Sequence, residues 1–341
     1  MSSVLTSERV RDGLGYRPLR YVVLLVVAVL FCTNGGLSPA DEFIGALIAV
    51  NVIAALGQVV MYGWTGLLSV GQAALVGTSA YTFAIAENHG HGVWASALLA
   101  MVFATFGGAL LGVVGTRIRS HYFVLVTLAL AEVVNLVLDN QITLTGGENG
   151  LPAPIGLDLG FVQLTSSRDL LVGSAVVAVL GMYVCSALKS SRLGLGMRTL
   201  NANEILGLTS GVSPRAARIA ASSVAGVFAG VAGILFAAVT GFLGPSDFNL
   251  AEALVLLVGV VIGGMASVPG ATMGVIVTSY LAVGVPSLNV KGPLIYGLAV
   301  IVVLMITPVG LAGTVSAARR WVTRMRPRLA RRRVAAERPV L

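Results

Sequence analysis

Ser190-Ser191-Arg192-Leu193-Gly194-Leu195-Gly196-Met197-Arg198-Thr199-Leu200-Asn201-Ala202-Asn203-Glu204 is a polar island between two long apolar runs, 169–188 and 215–239. Either run is long enough to cross the hydrocarbon of a bilayer as a helix, which takes about 20 apolar residues. The island is not. Ser190 or Ser191 can cap a helix start, and Leu195 to Leu206 contains no proline and one interior glycine. Gly207 or Gly211 can end a helix in the left-handed conformation, and Ser213-Pro214 supplies a cap and a first-turn proline for the next one. The island therefore predicts one short helix at the membrane surface, bracketed by turns. Such a helix either rests on lipid or docks into a partner on that side.

The surroundings make the contrast sharper. Of 341 residues 56% are hydrophobic and only 11% charged, against about 25% charged in a soluble domain. The mean hydropathy is +0.92. Hydrocarbon excludes charge, so the class is an all-α polytopic membrane protein. Forty-two glycines fit that class, because small residues let helix backbones approach where lipid removes the hydrophobic drive between helices. The net charge of +8 is concentrated: nine of the 22 Lys and Arg lie after residue 318. That tail reads as a juxtamembrane anchor for anionic membrane lipid, not as a nucleic-acid surface.

Candidate spans are 20–36, 43–62, 67–87, 94–115, 122–139, 169–188, 215–239, 250–266, 270–286 and 293–312. With the N-terminus cytoplasmic, the inside segments hold Arg9, Arg11, Arg17 and Arg20, then Arg117 and Arg119, then Lys189, Arg192, Arg198, Arg215 and Arg218, and finally the tail arginines. Only Arg168 and Lys291 fall outside, as the positive-inside rule asks. About ten transmembrane helices with both termini cytoplasmic is the topology expected. Residues 1–20 form a basic N-terminus, 21–313 the transmembrane domain with an inner loop at 189–214 and an outer loop at 140–168, and 314–341 the Arg-rich tail. Five spans per half suit an inverted 5+5 repeat. The run Tyr21 to Leu30 resembles a signal peptide, but no small-x-small cleavage site follows it, so it reads as a retained helix. Cys32 and Cys185 fall in different spans near opposite faces, which predicts no disulfide.

Enzyme chemistry finds no footing. His89 and His91 share one solvated turn without a third metal ligand, and no G-x-x-x-x-G-K-[ST] phosphate loop exists. No catalytic site, metal or cofactor is expected, and if ATP drives the protein another subunit supplies the hydrolysis. Glu132 is the one carboxylate well inside a span. It costs about 2.5–3.5 kcal/mol at the bilayer centre and is a functional candidate by default, with Asn135 three residues on and Thr127 nearby. Packing of helices explains it equally. Gly108 and Gly112, Gly226 and Gly230, Gly259 and Gly263, and Gly270 and Gly274 have the small-x-x-x-small spacing of close helix crossings. Two stretches make poor continuous helix: Gly63 to Gln72 and Gly263 to Gly270. Each is either a plain turn or irregular backbone lining a wet cavity.

Three stretches together resemble one family, the integral-membrane permeases of bacterial branched-chain amino acid ABC importers of the LivM type. Gly63-Trp64-Thr65-Gly66-Leu67-Leu68-Ser69-Val70-Gly71-Gln72-Ala73-Ala74 is similar to the family's G-x-x-G-L-x-S-x-G-[HQ]-A-A. Tyr122-Phe123, Thr127-Leu128-Ala129 to Glu132 and Leu144-Thr145-Gly146-Gly147-Glu148-Asn149-Gly150-Leu151 resemble Y-F-x-x-x-T-L-A-x-A-E and L-T-G-G-x-x-G-L. The island resembles S-x-x-G-R-A-x-R-A-I-x-x-N-E, through Ser191, Gly194, Arg198, Leu200, Asn203 and Glu204. Leu195 stands where the family has Arg, Gly196 where it has Ala, Ala266 for Gly and Ala271 for Pro.

The resemblance implies a type II ABC importer-like permease in the bacterial cytoplasmic membrane. It would pair with a second, related permease, bind two ATP-binding subunits inside and receive substrate from an external solute-binding protein. Ser191, Gly194, Arg198, Asn203 and Glu204 would then couple the ATPases. Thr127, Glu132, Asn135 and Gln72 are candidates for the translocation pathway, and Thr145, Gly146 and Gly147 for the outer mouth. Urea and short-chain amide importers use near relatives, which leaves the substrate open. A proton-coupled carrier or channel built on Glu132 is the competing reading, and it leaves the island without a task.

Overall fold

Local signals at the helix starts are met as the residue types ask. In the computed structural model, which describes residues 38–283 other than 119, 159, 161 and 162 together with 23, 24 and 36, Ser38 caps α1 (Pro39–Gln58), its Oγ accepting from the Asp41 N–H at 3.3 Å with Pro39 in the first turn. Two predicted spans, 20–36 and 293–312, lie almost wholly or wholly outside the described residues, as do Cys32 and the basic segments at either end.

After α1 the backbone widens into a π-helical segment, Val59–Gly63, and then runs irregularly to Gly71. α2 (Gln72–Asn88) begins only there, so the span expected from residue 67 starts five residues later. α3 (Val93–Gly115) and α4 (Ser120–Asn140) follow. α5 (Ser167–Ser190) leads into the island. α8 (Pro214–Thr240) is capped by Ser213 with Pro214 in its first turn and ended by Gly241 at φ 66°. Asn249 caps α9 (Leu250–Gly263), which turns back into α10 (Val268–Val283). Among the described residues six helical segments are long and apolar enough to cross a membrane: Pro39–Gly63, Val93–Gly115, Tyr122–Asn140, Ser167–Ser190, Pro214–Thr240 and Pro245–Gly263.

α8 is the hub. It packs against α3, α2 and α1, while α1 also carries α5, and α9 pairs with α10. Glycine spacing explains the closeness. A β-carbon on Gly108 would sit 2.4 Å from the Ser222 carbonyl oxygen, and one on Gly226 would sit 2.4 Å from that of Ala104. The α9–α10 crossing is tighter still: β-carbons on Gly263 and Gly274 would each lie 2.1 Å from a backbone oxygen, that of Gly270 and of Gly259. Backbones this near exchange dispersion contacts that no lipid chain can replace. By contrast α3 and α4 present most of their apolar surface outward, with Leu98, Phe103, Phe106 and Leu125 all more than half exposed. An apolar band of that kind suits contact with lipid or with other helices.

The segment between α4 and α5 folds back on the bundle. After one helical turn (Ile142–Thr145) comes β1 (Leu151–Pro152), which pairs antiparallel with β4 (Phe242–Leu243) beyond the end of α8. β2 (Leu157–Asp158) and β3 (Gln163–Leu164) form a small hairpin.

Candidate functional site

The island is two helices, not the single one its composition predicts. α6 (Arg192–Ala202) and α7 (Glu204–Thr209) meet at Asn203, whose backbone leaves the helical region at φ −157° and ψ 113°. The break has a local cause. Asn203 Oδ1 accepts from the N–H groups of Ile205 (3.0 Å) and Leu206 (3.3 Å), so the side chain caps a new helix start, and Glu204 adds a carboxylate to that first turn.

Three of the five expected coupling residues build this element. Ser191 caps α6, its Oγ accepting from the Gly194 N–H at 3.2 Å. Gly194 is buried at the α5–α6 corner, where a β-carbon would lie 2.2 Å from the Leu188 carbonyl oxygen. Asn203 caps α7. The other two present themselves: Arg198 is exposed, and Glu204 lies 3.8 Å from Arg218 with its side chain 60% exposed. Met197, 1% exposed, plugs α6 into the core. Leu193, Leu195, Ile205, Leu206 and Leu208 stay more than half exposed on the same pair of helices. A buried anchor with an uncovered apolar rim is the pattern of a surface made to be covered.

The residues expected along the pathway do not gather at one place. Gln72 is fully buried, and its Nε2 donates to the Ala54 oxygen (3.0 Å) and the Ala225 oxygen (3.2 Å), bridging α1 and α8. Thr127 is buried against the Gly63–Gly71 segment, accepting from the Val70 N–H. Asn135 turns inward and donates to the Phe248 oxygen at 3.3 Å. Glu132, three residues before it, is exposed along the outward stripe of α4 with Leu125, Leu128 and Leu136. The carboxylate and the amide therefore do not form the stacked pair that their spacing allows.

At the expected outer mouth, Thr145 is buried and donates to the Leu138 and Gln141 carbonyls. Gly146 and Gly147 take positive φ of 79° and 62° behind it. The three form a folded corner that carries the chain into β1.

A cavity of about 350 Å³ opens between α1, α2, α8, α9 and α10. Its walls include Phe43, Leu47, Phe248 and Leu256, and its polar groups are Asn51, Thr240, Asp247 and Glu252. Asp247 accepts from the Gly244 N–H at 2.9 Å, and Asn51 donates to the Ser279 hydroxyl at 3.2 Å. None of these polar residues stands out in the sequence, because each sits at a span end or beside apolar neighbours with no motif around it. Position relative to helices far along the chain brings them together.

A family model described as branched-chain amino acid transport system / permease component matches residues 42–309. The chain is 33% identical over 270 residues to the high-affinity branched-chain amino acid transport system permease protein LivM of Escherichia coli (strain K12), covering 72% of this chain and 63% of that one. The LivM of Salmonella typhimurium is 32% identical over the same shares. The autoinducer 2 import system permease protein LsrC of Yersinia enterocolitica is 26% identical over 246 residues, 71% of this chain and 65% of its own. The chain thus spans somewhat less than two thirds of the length of these curated relatives.

Proposed function

The chain belongs to the family of branched-chain amino acid transport system permease components, and from that premise we propose that it is the membrane subunit that carries such amino acids through an ATP-driven importer of the bacterial cytoplasmic membrane. The observation that carries this reading is the α6–α7 element. It is anchored by Met197 and by caps at Ser191 and Asn203, and it leaves five large apolar side chains uncovered next to Arg198 and Glu204. A docking knob for an ATP-binding subunit needs that combination of stiff base and apolar rim.

The fuller assembly follows the same line of thought. Ten spans in an inverted 5+5 arrangement, both termini cytoplasmic, would form half of the pathway, with a second related permease as the other half. Two ATP-binding subunits would sit beneath, and an external solute-binding protein would deliver the substrate. Glu132 supports a second permease on α4: a carboxylate facing lipid would cost a few kcal/mol, which a subunit packed there removes. The cavity with Asp247 and Glu252 among apolar walls suits a substrate having an ammonium group and a branched apolar side chain. A proton-driven carrier is less favoured, since it gives α6–α7 nothing to hold.

The test is co-expression with the ATP-binding subunits. Arg198→Ala and Glu204→Ala should insert normally, while co-purification of the ATPases or uptake of labelled leucine falls. Undiminished co-purification together with undiminished uptake in both variants sinks the assignment.

A further inference from the structure

The two irregular stretches, Gly63–Gly71 and Gly263–Ser267, meet. A β-carbon on Gly63 would lie 2.1 Å from the Met265 carbonyl oxygen, so the turn after α1 and the turn between α9 and α10 are pressed backbone to backbone. Each is also held by a side chain that flanks the surface helices. Lys189, at the end of α5 just before α6, donates to the Ala266 oxygen. Asn201, in the last turn of α6, donates from Nδ2 to the Gly63 oxygen at 3.3 Å. The other atom of that amide, Oδ1, occupies the space a side chain at Gly66 would need: a β-carbon there would sit 2.7 Å from it, and Gly66 takes a positive φ of 71°. The turn and the asparagine are shaped to each other.

What lies on either side of this contact determines its use. Behind Gly63 is the π-helical segment Val59–Gly63, a local departure from α-geometry of a kind that recurs at functional sites. In front of it, beside Asn201, is a cavity of about 280 Å³ bordered by Thr65, Gly66, Asn203 and Glu204. A second tie runs from Glu204 to Arg218, whose Nη1 donates at 3.4 Å to the Gly115 oxygen at the end of α3. The surface helices therefore reach the turn after α1 through Asn201 and α3 by way of Arg218, and the α9–α10 turn packs on Gly63 and is held by Lys189 of α5. The neighbouring space lets the Asn201 contact shift without colliding.

We propose that Asn201 is the positioning residue through which displacement of α6–α7 reaches the membrane-spanning helices, by gripping the Gly63–Gly66 turn that joins α1 to the α9–α10 hairpin. The proposal rests on the reading of α6–α7 as the ATPase-docking element. A push on α6 is delivered to a turn that already touches both halves of the chain, so one side chain moves α1 and α9–α10 together. Nothing about Asn201 requires it to touch an ATPase, and its role is transmission within this subunit.

The experiment uses the complete importer in proteoliposomes, with ATP hydrolysis and labelled leucine uptake measured on the same preparation. Asn201→Leu removes the donor at similar size, and Asn201→Asp replaces it with a charge that repels the Gly63 oxygen. Asn201 is exposed, so neither variant opens the core. Both should retain the ATPases on co-purification and keep hydrolysing ATP, while leucine moved per ATP falls about tenfold, within the usual range of coupling between sites. Asn201→Gln, which keeps the donor and has the adjoining cavity for its extra methylene, should recover most of that loss. Unchanged transport per ATP in the Leu and Asp variants overturns the proposal. Loss of the ATPases from those same variants also overturns it, because Asn201 would then belong to the docking face. Failure of the docking reading is seen separately, as full co-purification and uptake in Arg198→Ala and Glu204→Ala.

Discussion

The Thr127 hydroxyl accepts a hydrogen bond from the Val70 N–H at 3.1 Å and donates to the Val124 oxygen at 3.0 Å. One side chain of α4 thereby satisfies the backbone of the irregular stretch before α2. Thr127→Val keeps the shape and leaves that buried N–H unpaired, which costs about 1–3 kcal/mol. Thermal unfolding of the detergent-solubilised subunit should shift down accordingly, and Thr127→Ser should behave as the parent. If the Val variant instead unfolds normally and loses uptake, Thr127 acts on the pathway.

Gly226 and Ala104 set the distance between α8 and α3. Gly226→Ala drives a methyl to 2.4 Å from a backbone oxygen, and backbone cannot rotate away as a side chain can. Overpacking of this kind costs about 1–3 kcal/mol. Reduced yield of folded protein and an earlier melting transition are expected. Alanine at Gly90, where a β-carbon meets nothing within 4 Å but φ is +79°, should cost only the smaller left-handed strain.

Ile205 and Leu208 are exposed at 72% and 55% on a helix of only six residues. An aspartate at either position should weaken ATPase co-purification by about tenfold or more, the loss expected at an interface hot spot. Membrane insertion should stay normal, as reported by expression level and gel filtration. Met197→Ala is the contrasting variant: it removes the buried anchor and should lower thermal stability as well as binding.

Glu252 and Asp247 border the cavity beneath β4. Replacing Glu252 by Gln keeps its size and removes its charge. Loss of a charge-assisted hydrogen bond to a substrate ammonium, about 1.5–3 kcal/mol, should raise the KM for leucine uptake by about tenfold or more. ATPase co-purification should be unaffected. An unaltered KM would place the substrate elsewhere.

Features that depend on neighbouring residues were open to reading from the chain alone. Ser191, Ser213-Pro214 and the apolar lengths between charges state their roles locally, and the helices they predict are present at 72–88, 93–115, 167–190 and 214–240. Glycine spacing likewise indicated close crossings, though not which helix meets which. Asn203 carried its own signal, an N-cap residue followed by Glu, yet an uninterrupted helix also fits those residues, and only the capping geometry separates the two. Contacts between remote segments left no such trace. Asn201 differs in no visible way from its polar neighbours until Gly63 is seen beside it. Glu132 and Asn135 share a helical spacing, but which of them turns inward depends on where Phe248 lies.

The pairing of Leu151 with Leu243 has a consequence for biosynthesis. A ribosome makes the first strand about ninety residues before the second, and Ala153 and Gly156 likewise wait for the Gly241 and Ala238 carbonyls. Gln72 has the same dependence on Ala225. The connection after α4 must therefore wait with its backbone groups unpaired, and Gln72 with its bond to Ala54 alone, until α8 has been threaded beside them. A nascent chain halted before residue 225 should be a substrate for membrane quality-control proteases, and one released after residue 243 should escape them.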